Sequence, residues 1–110
     1  MPAEVVPTAL LIDDLVERIV DAVHPLRIVL FGSAARGQMD ADSDIDVMVV
    51  MPDGTPRLRT VRYLYRRLFG FGFPVDIVVT TPGILEQHKD NIGLVYRSVL
   101  AEGKEAYVAR

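Results

Sequence analysis

The chain has 110 residues, half of them hydrophobic, with a formal net charge of −3 and no cysteine. This points to one domain over residues 1–110 with a modest core, excludes disulfides and thiolate metal sites, and argues against a free-standing nucleic-acid binder, which carries a basic footprint. No apolar run nears the roughly 20 residues that a bilayer span needs, and no Lys or Arg precedes Arg18, so a signal-peptide pattern is lacking and a soluble, cytoplasmic protein is expected.

The first regular element is a helix over Thr8–Val23. Leu11, Leu15, Ile19 and Val23, with Ile12, Val16 and Val20, make a wide apolar stripe. Asp13, Asp14, Glu17 and Asp21 line the other side, so the helix should pack on a sheet. His24-Pro25 ends it. Leu26 to Phe31 reads as a strand that stops at Gly32, where a missing Cβ lets a ligand approach the backbone. Ser33 follows, offering a hydroxyl and a backbone N–H at a helix start, a cradle for phosphate. Ala34–Gly37 is a short helical turn carrying Arg36. Met39–Ser43 is loop, in which Asp40 and Asp42 read as turn formers rather than metal ligands. Asp44–Met51 is the second strand.

Pro52-Asp53-Gly54 is turn chemistry. Thr55 is placed as the N-cap of a helix over Pro56–Phe69, with Pro at its first position. Leu58, Val61, Leu64, Tyr65 and Leu68 should face inward. Arg57, Arg59, Arg62, Arg66 and Arg67 mark the other sides, five of the chain's twelve basic residues. They form either a solvated face or a docking surface for an acidic partner or for phosphates. Gly70–Phe73 is loop, and Pro74–Thr80 is a third strand with Asp76 among aliphatic residues. Thr81-Pro82 resembles a helix start, opening a short helix over Gly83–Asp90. A second helix follows over Asn91–Glu102, capped by Gly103. The order αβαβαβα predicts a two-layer α/β fold with a short mixed sheet, whose strand directions stay open.

The chemistry concentrates at two points. Asp44 and Asp46 share one face of their strand, roughly 6–7 Å apart, because side chains alternate. Two like charges on a mostly apolar strand are costly when ionised. A divalent cation makes the arrangement favourable, and carboxylates with phosphate oxygens suit Mg²⁺. Asp76, an acid in an aliphatic strand, needs a partner or a purpose.

Gly32-Ser33, ten residues, then Asp44-Ile45-Asp46 resembles the nucleotidyltransferase superfamily related to DNA polymerase β. The fuller form, G-S-A-A-R-G followed by S-D-I-D, resembles the minimal nucleotidyltransferases (MNT), often the antitoxin half of HEPN–MNT toxin–antitoxin pairs. The likeness covers Leu26 to Thr81. It implies a polymerase β-like nucleotidyltransferase fold and a third carboxylate, Asp76, on the strand beside the Asp-x-Asp strand. It also implies two Mg²⁺ ions held by Asp44, Asp46 and Asp76, with Gly32 and Ser33 on the phosphates. Arg36 would steady the triphosphate or merely cap local acids. The implied reaction transfers AMP from ATP to a hydroxyl, a tyrosine of a HEPN-type toxin, with which the chain would form a hetero-oligomer; DNA is not an expected partner. Two other readings stand beside it: a nucleotidyltransferase for a small molecule such as an aminoglycoside, and a non-enzymatic antitoxin acting by binding. Small size favours the protein acceptor over the first, and the complete acid triad disfavours the second.

Overall fold

Alternation along three apolar strands decides which face of the sheet is covered. The structure is a computed structural model and describes residues 8–32, 44–88 and 103–110. Helix α1 (Thr8–Val23) leads into β1 (Arg27–Phe31), and β2 (Ile45–Val50) follows. Then come α2 (Arg57–Arg67), β3 (Val75–Thr80), α3 (Pro82–His88) and β4 (Lys104–Val108). The strands form one sheet in the order β3-β2-β1-β4. β1 runs antiparallel to both β2 and β4, and β2 runs parallel to β3, so the sheet is mixed as expected.

One face of the sheet carries Ile28, Leu30, Ile45, Val47, Val49, Ile77 and Val79. They pack against Ile12, Leu15 and Ile19 of α1 and against Leu64 and Leu68 at α2. The opposite face carries Val29, Met48 and Val50, with Phe31, Val78 and Leu85 of α3 against them. β2 is therefore apolar on both faces, as a central strand should be, and its one polar interruption is Asp46.

The helix and strand positions follow the sequence pattern closely, with informative departures. α1 ends at His24, whose φ of +46° lies in the left-handed region while its N–H still donates to the Val20 carbonyl at 2.9 Å. Thr55 is not the cap of α2. Its hydroxyl donates to the Pro52 carbonyl at 2.7 Å, closing the preceding turn, and Pro56 takes the N-cap position without a side-chain hydrogen bond. Leu58 and Tyr65 do not face inward: they are 63% and 43% exposed. The Tyr65 hydroxyl accepts a hydrogen bond from the Ile77 N–H at 3.0 Å. β3 is an edge strand, so this hydroxyl satisfies a backbone group that no neighbouring strand reaches. Thr81 does open α3, its hydroxyl accepting from the Ile84 N–H at 3.3 Å. The turn expected at Ala34–Gly37 and the helix expected over Asn91–Glu102 lie outside the described residues.

The fourth strand is an addition to the expected pattern. Lys104–Val108 pairs with β1, Arg27 opposite Val108 and Leu30 opposite Lys104, with a register shift between Ile28 and Val29. Arg27 Nε meets Glu105 Oε2 at 2.8 Å across this pair. Among the described residues, no helix is long and apolar enough to cross a membrane.

Two substitutions test this packing. Leu15 is fully buried, so Leu15→Ala should lose about 2–5 kcal/mol through lost transfer energy and a residual cavity. Tyr65→Phe should lose about 1 kcal/mol, the net worth of one hydrogen bond, with no change in helix content. Urea melts of the two variants measure both losses.

Candidate active site

Strand register builds the site from separate parts of the chain. Asp46, the second residue of β2, lies opposite Phe31 of β1 on one side and opposite Asp76 of β3 on the other. Residues paired across a sheet project to the same face. Asp46 and Asp76 thus both emerge on the face that α1 and α2 leave uncovered, the face of Met48 and Val50. Asp44, exposed, stands two residues before Asp46.

Gly32 closes the site from the other side. Its φ is +66°, a left-handed conformation that glycine adopts without strain. A Cβ built on Gly32 would run into the Asp46 carboxylate. The main chain after β1 therefore lies directly against the acid on β2, and any side chain at position 32 would displace one or the other. The glycine has two independent reasons to be there, backbone conformation and close approach.

The electrostatics single out Asp46. Its pKa is raised above the ordinary carboxylate range, first by burial, then by the charge of Asp76, then by that of Asp44. Asp76 is exposed rather than enclosed by its aliphatic neighbours, because Ile77 and Val79 point to the helix-covered face. Three carboxylates thus share one region, the innermost of them held in a field that disfavours its charge.

Among the described residues, no three Asp, Glu or His side chains already stand as a metal cluster. The donor set nonetheless fits a hard divalent cation. It is all carboxylate, with neither thiolate nor imidazole, which matches Mg²⁺ rather than Zn²⁺. Ser33 and Arg36, together with Asp40 and Asp42, lie outside the described residues. Further along the same face a cavity of about 150 Å³ is floored by Val29, Met48 and Val50 and walled by Leu85, Arg27 and Glu105. It is framed by β4, so the pattern of strands read from sequence gave no sign of it.

The shift of Asp46 fixes a pH dependence. A carboxyl whose pKa is raised on folding favours the folded chain when protonated. Its contribution is fully present below the unfolded pKa and is lost as pH rises through the folded one. Without divalent cations, Asp46→Asn should therefore melt higher than the wild-type chain at pH 7. The difference should shrink towards zero at pH values below the ordinary carboxylate range. Paired thermal melts across that window, with chelator present, measure it. A variant that melts at or below wild type at pH 7 would show that Asp46 is already compensated.

The chain matches a known family over most of its length. The nucleotidyltransferase domain family matches residues 12–104. Comparison with curated proteins returns no match. Among solved structures, one chain of a toxin–antitoxin complex crystallised with AMP-PNP superposes with a TM-score of 0.65 at 21% identity, covering 90% of this chain and 74% of its own. A Sulfolobus solfataricus protein assigned as a nucleotidyltransferase superposes at 0.59 with 20% identity, covering 92% of this chain and 83% of its own. One chain of the complex between tri-AMPylated Shewanella oneidensis HEPN toxin and MNT antitoxin gives 0.62 at 17% identity, covering 93% and 73%. At these identities the likeness is one of fold, the polymerase β-like nucleotidyltransferase fold. With the family match running from within α1 to the start of β4, the chain belongs to the nucleotidyltransferase domain family.

Proposed function

We propose that the chain transfers AMP from ATP to a hydroxyl, most specifically a tyrosine, of a HEPN-type toxin that it neutralises as an MNT antitoxin in the cytoplasm. The observation that carries this reading is the juxtaposition at Asp46: the backbone of Gly32 on one side and Asp76 on the other. A glycine backbone pressed against one of two neighbouring carboxylates suits the close approach of a polyphosphate to metal-binding acids. The structural neighbours support the choice of nucleotide and acceptor, one being a complex with AMP-PNP and another containing an AMPylated HEPN toxin.

Each residue has a part in this proposal. Asp44, Asp46 and Asp76 would hold two Mg²⁺ ions. Bound there, Mg²⁺ supplies charge neutralisation and polarises the phosphoryl oxygens. Gly32 gives the triphosphate close access to the backbone, and Ser33 offers it a hydroxyl. Arg36, four residues after Gly32 in the sequence, would steady the phosphates. Asp76, exposed at the edge strand, faces incoming acceptors and takes the proton of the acceptor hydroxyl. The acceptor oxygen bonds to the α-phosphorus, the bond from that phosphorus to the bridging oxygen breaks, and pyrophosphate leaves. The polarity of the site explains why its acids are split between strands. Asp46, partly buried, is held for binding, and Asp76, at the rim, is reachable by a bulky substrate.

Two outcomes test this. Mg-ATP at a hundred times its Kd should stabilise the chain by about 2.7 kcal/mol, through binding to the native state alone. ATP with excess chelator should do much less, and Ser33→Ala should reduce the gain. Equal stabilisation with and without Mg²⁺ would remove the metal from the proposal. Asp76→Asn should keep much of the Mg-ATP binding yet lose label transfer from ATP to a co-expressed HEPN-type partner by about 10³-fold or more, whereas Asp44→Asn should lose both. Substantial transfer by Asp76→Asn would reduce that residue to a structural acid.

A further inference from the structure

Away from the site, the helix layer presents two exposed faces of opposite sign. On α1, at about 100° per residue, Leu10, Asp13, Asp14, Glu17 and Asp21 all point away from buried Ile12, Leu15 and Ile19. Arg18 pairs with Asp14 at 3.2 Å, while Asp13, Glu17 and Asp21 make no ion pair among the described residues. On α2, Arg59, Arg62 and Arg66 point away from buried Leu64 and line a shallow groove with Tyr65. None of these three arginines has an anionic partner among the described residues. Large apolar side chains accompany both faces: Leu10 is 67% exposed on α1, and Phe69, just past α2, is 90% exposed.

α1 and α2 touch each other and pack on the same face of the sheet. They therefore form one layer whose outer surface is acidic along one helix and basic along its neighbour. Such a surface is complementary to itself. A two-fold axis running between the helices brings each acidic α1 onto the basic α2 of a second copy, and the contact is made twice.

We propose that the helix layer is a homodimer interface in which Asp13, Glu17 and Asp21 of one copy face Arg59, Arg62 and Arg66 of the other. The chemistry favours a second copy over a nucleic acid. The basic face is one helix long in a chain of net charge −3, whereas phosphate backbones call for an extended basic footprint. Leu58 and Phe69, both exposed along the arginine-bearing helix, suit a protein surface, where aromatic residues and Arg are enriched. The complement to the arginines lies on the adjacent helix, at matching charge. Asp46 and Asp76 emerge on the other side of the sheet, so this interface leaves the candidate active site open and does not depend on the proposed reaction.

Sedimentation of the full chain at about 0.1 M and about 1 M salt, where the screening length falls from about 10 to about 3 Å, tests the proposal. The wild-type chain should dimerise at the lower salt and weaken about tenfold or more at the higher. Two charge-reversed variants give the sharper reading. Arg59→Glu/Arg62→Glu/Arg66→Glu and Asp13→Lys/Glu17→Lys/Asp21→Lys should each be monomeric while keeping wild-type circular dichroism. Mixed in equal amounts they should form a one-to-one dimer, since each then offers the other a complementary pair of helices. A wild-type chain that stays monomeric at about 1 mM overturns the proposal. So does a dimer that survives either reversal, or a mixture that fails to associate. Binding of a single-stranded RNA oligonucleotide to a monomeric chain, lost with the three arginines, would assign the basic face to nucleic acid and overturn it equally.

Discussion

The structure depends on how Asp46 is confined. One carboxylate is pinned between a glycine backbone at the end of β1 and a second carboxylate on β3, at the mouth of a sheet that is otherwise apolar on both faces. Burial and two like charges disfavour its ionised form. A fold that served stability alone would place a valine there, as it does at Val47, Val49 and Val50. The acid persists at a cost to its ionised form, a cost that nearby positive charge would offset. This constraint explains the glycine at position 32, the parallel pairing that sets Asp76 beside Asp46, and the uncovered face onto which both acids open.

The two layers divide the labour. α1 and α2 pack on one face of the sheet, and their buried side chains hold β1, β2 and β3 in register. That register is what brings Asp46 and Asp76 side by side, since a slip of one residue would send one acid into the core. Tyr65 belongs to this support, tying α2 to the edge strand one residue beyond Asp76. The other face carries a smaller apolar patch with α3 against it and leaves the acids accessible. Rigid packing on one side and access on the other are what a nucleotidyltransferase domain requires of a small sheet.

α2 shows how amphipathic reading reaches its limit. Its apolar residues cover more than half the helix circumference, so Leu58 and Tyr65 were expected inside with Leu64. The sheet has room for only one stripe, and the edge position of β3 leaves the flank of α2 uncovered. Tyr65 resolves this by turning its hydroxyl to a backbone group and leaving part of its ring in water, as an amphipathic side chain can. Thr55 illustrates the same competition locally. Its hydroxyl closes the turn at Pro52 and does not cap the helix.

What the sequence determined by itself were the elements whose signal is local: the amphipathic α1, the apolar runs of β1, β2 and β3, the arginine-bearing α2, and the Gly-Ser and Asp-x-Asp pair at their spacing. These are written in periodicity and in residue chemistry within a few positions. Tertiary structure decided what depends on partners distant in the chain. β4 is a short edge strand, with two charged residues among its five, and becomes a strand only by pairing with β1, nearly the whole chain away. The strand directions, the register that sets Asp46 directly opposite Asp76, and the pressing of Gly32 onto Asp46 came from the same source. So did the placement of the acidic and the basic helix side by side in one layer. No local pattern encodes them, because register and neighbourhood are properties of the packed sheet rather than of any segment within it.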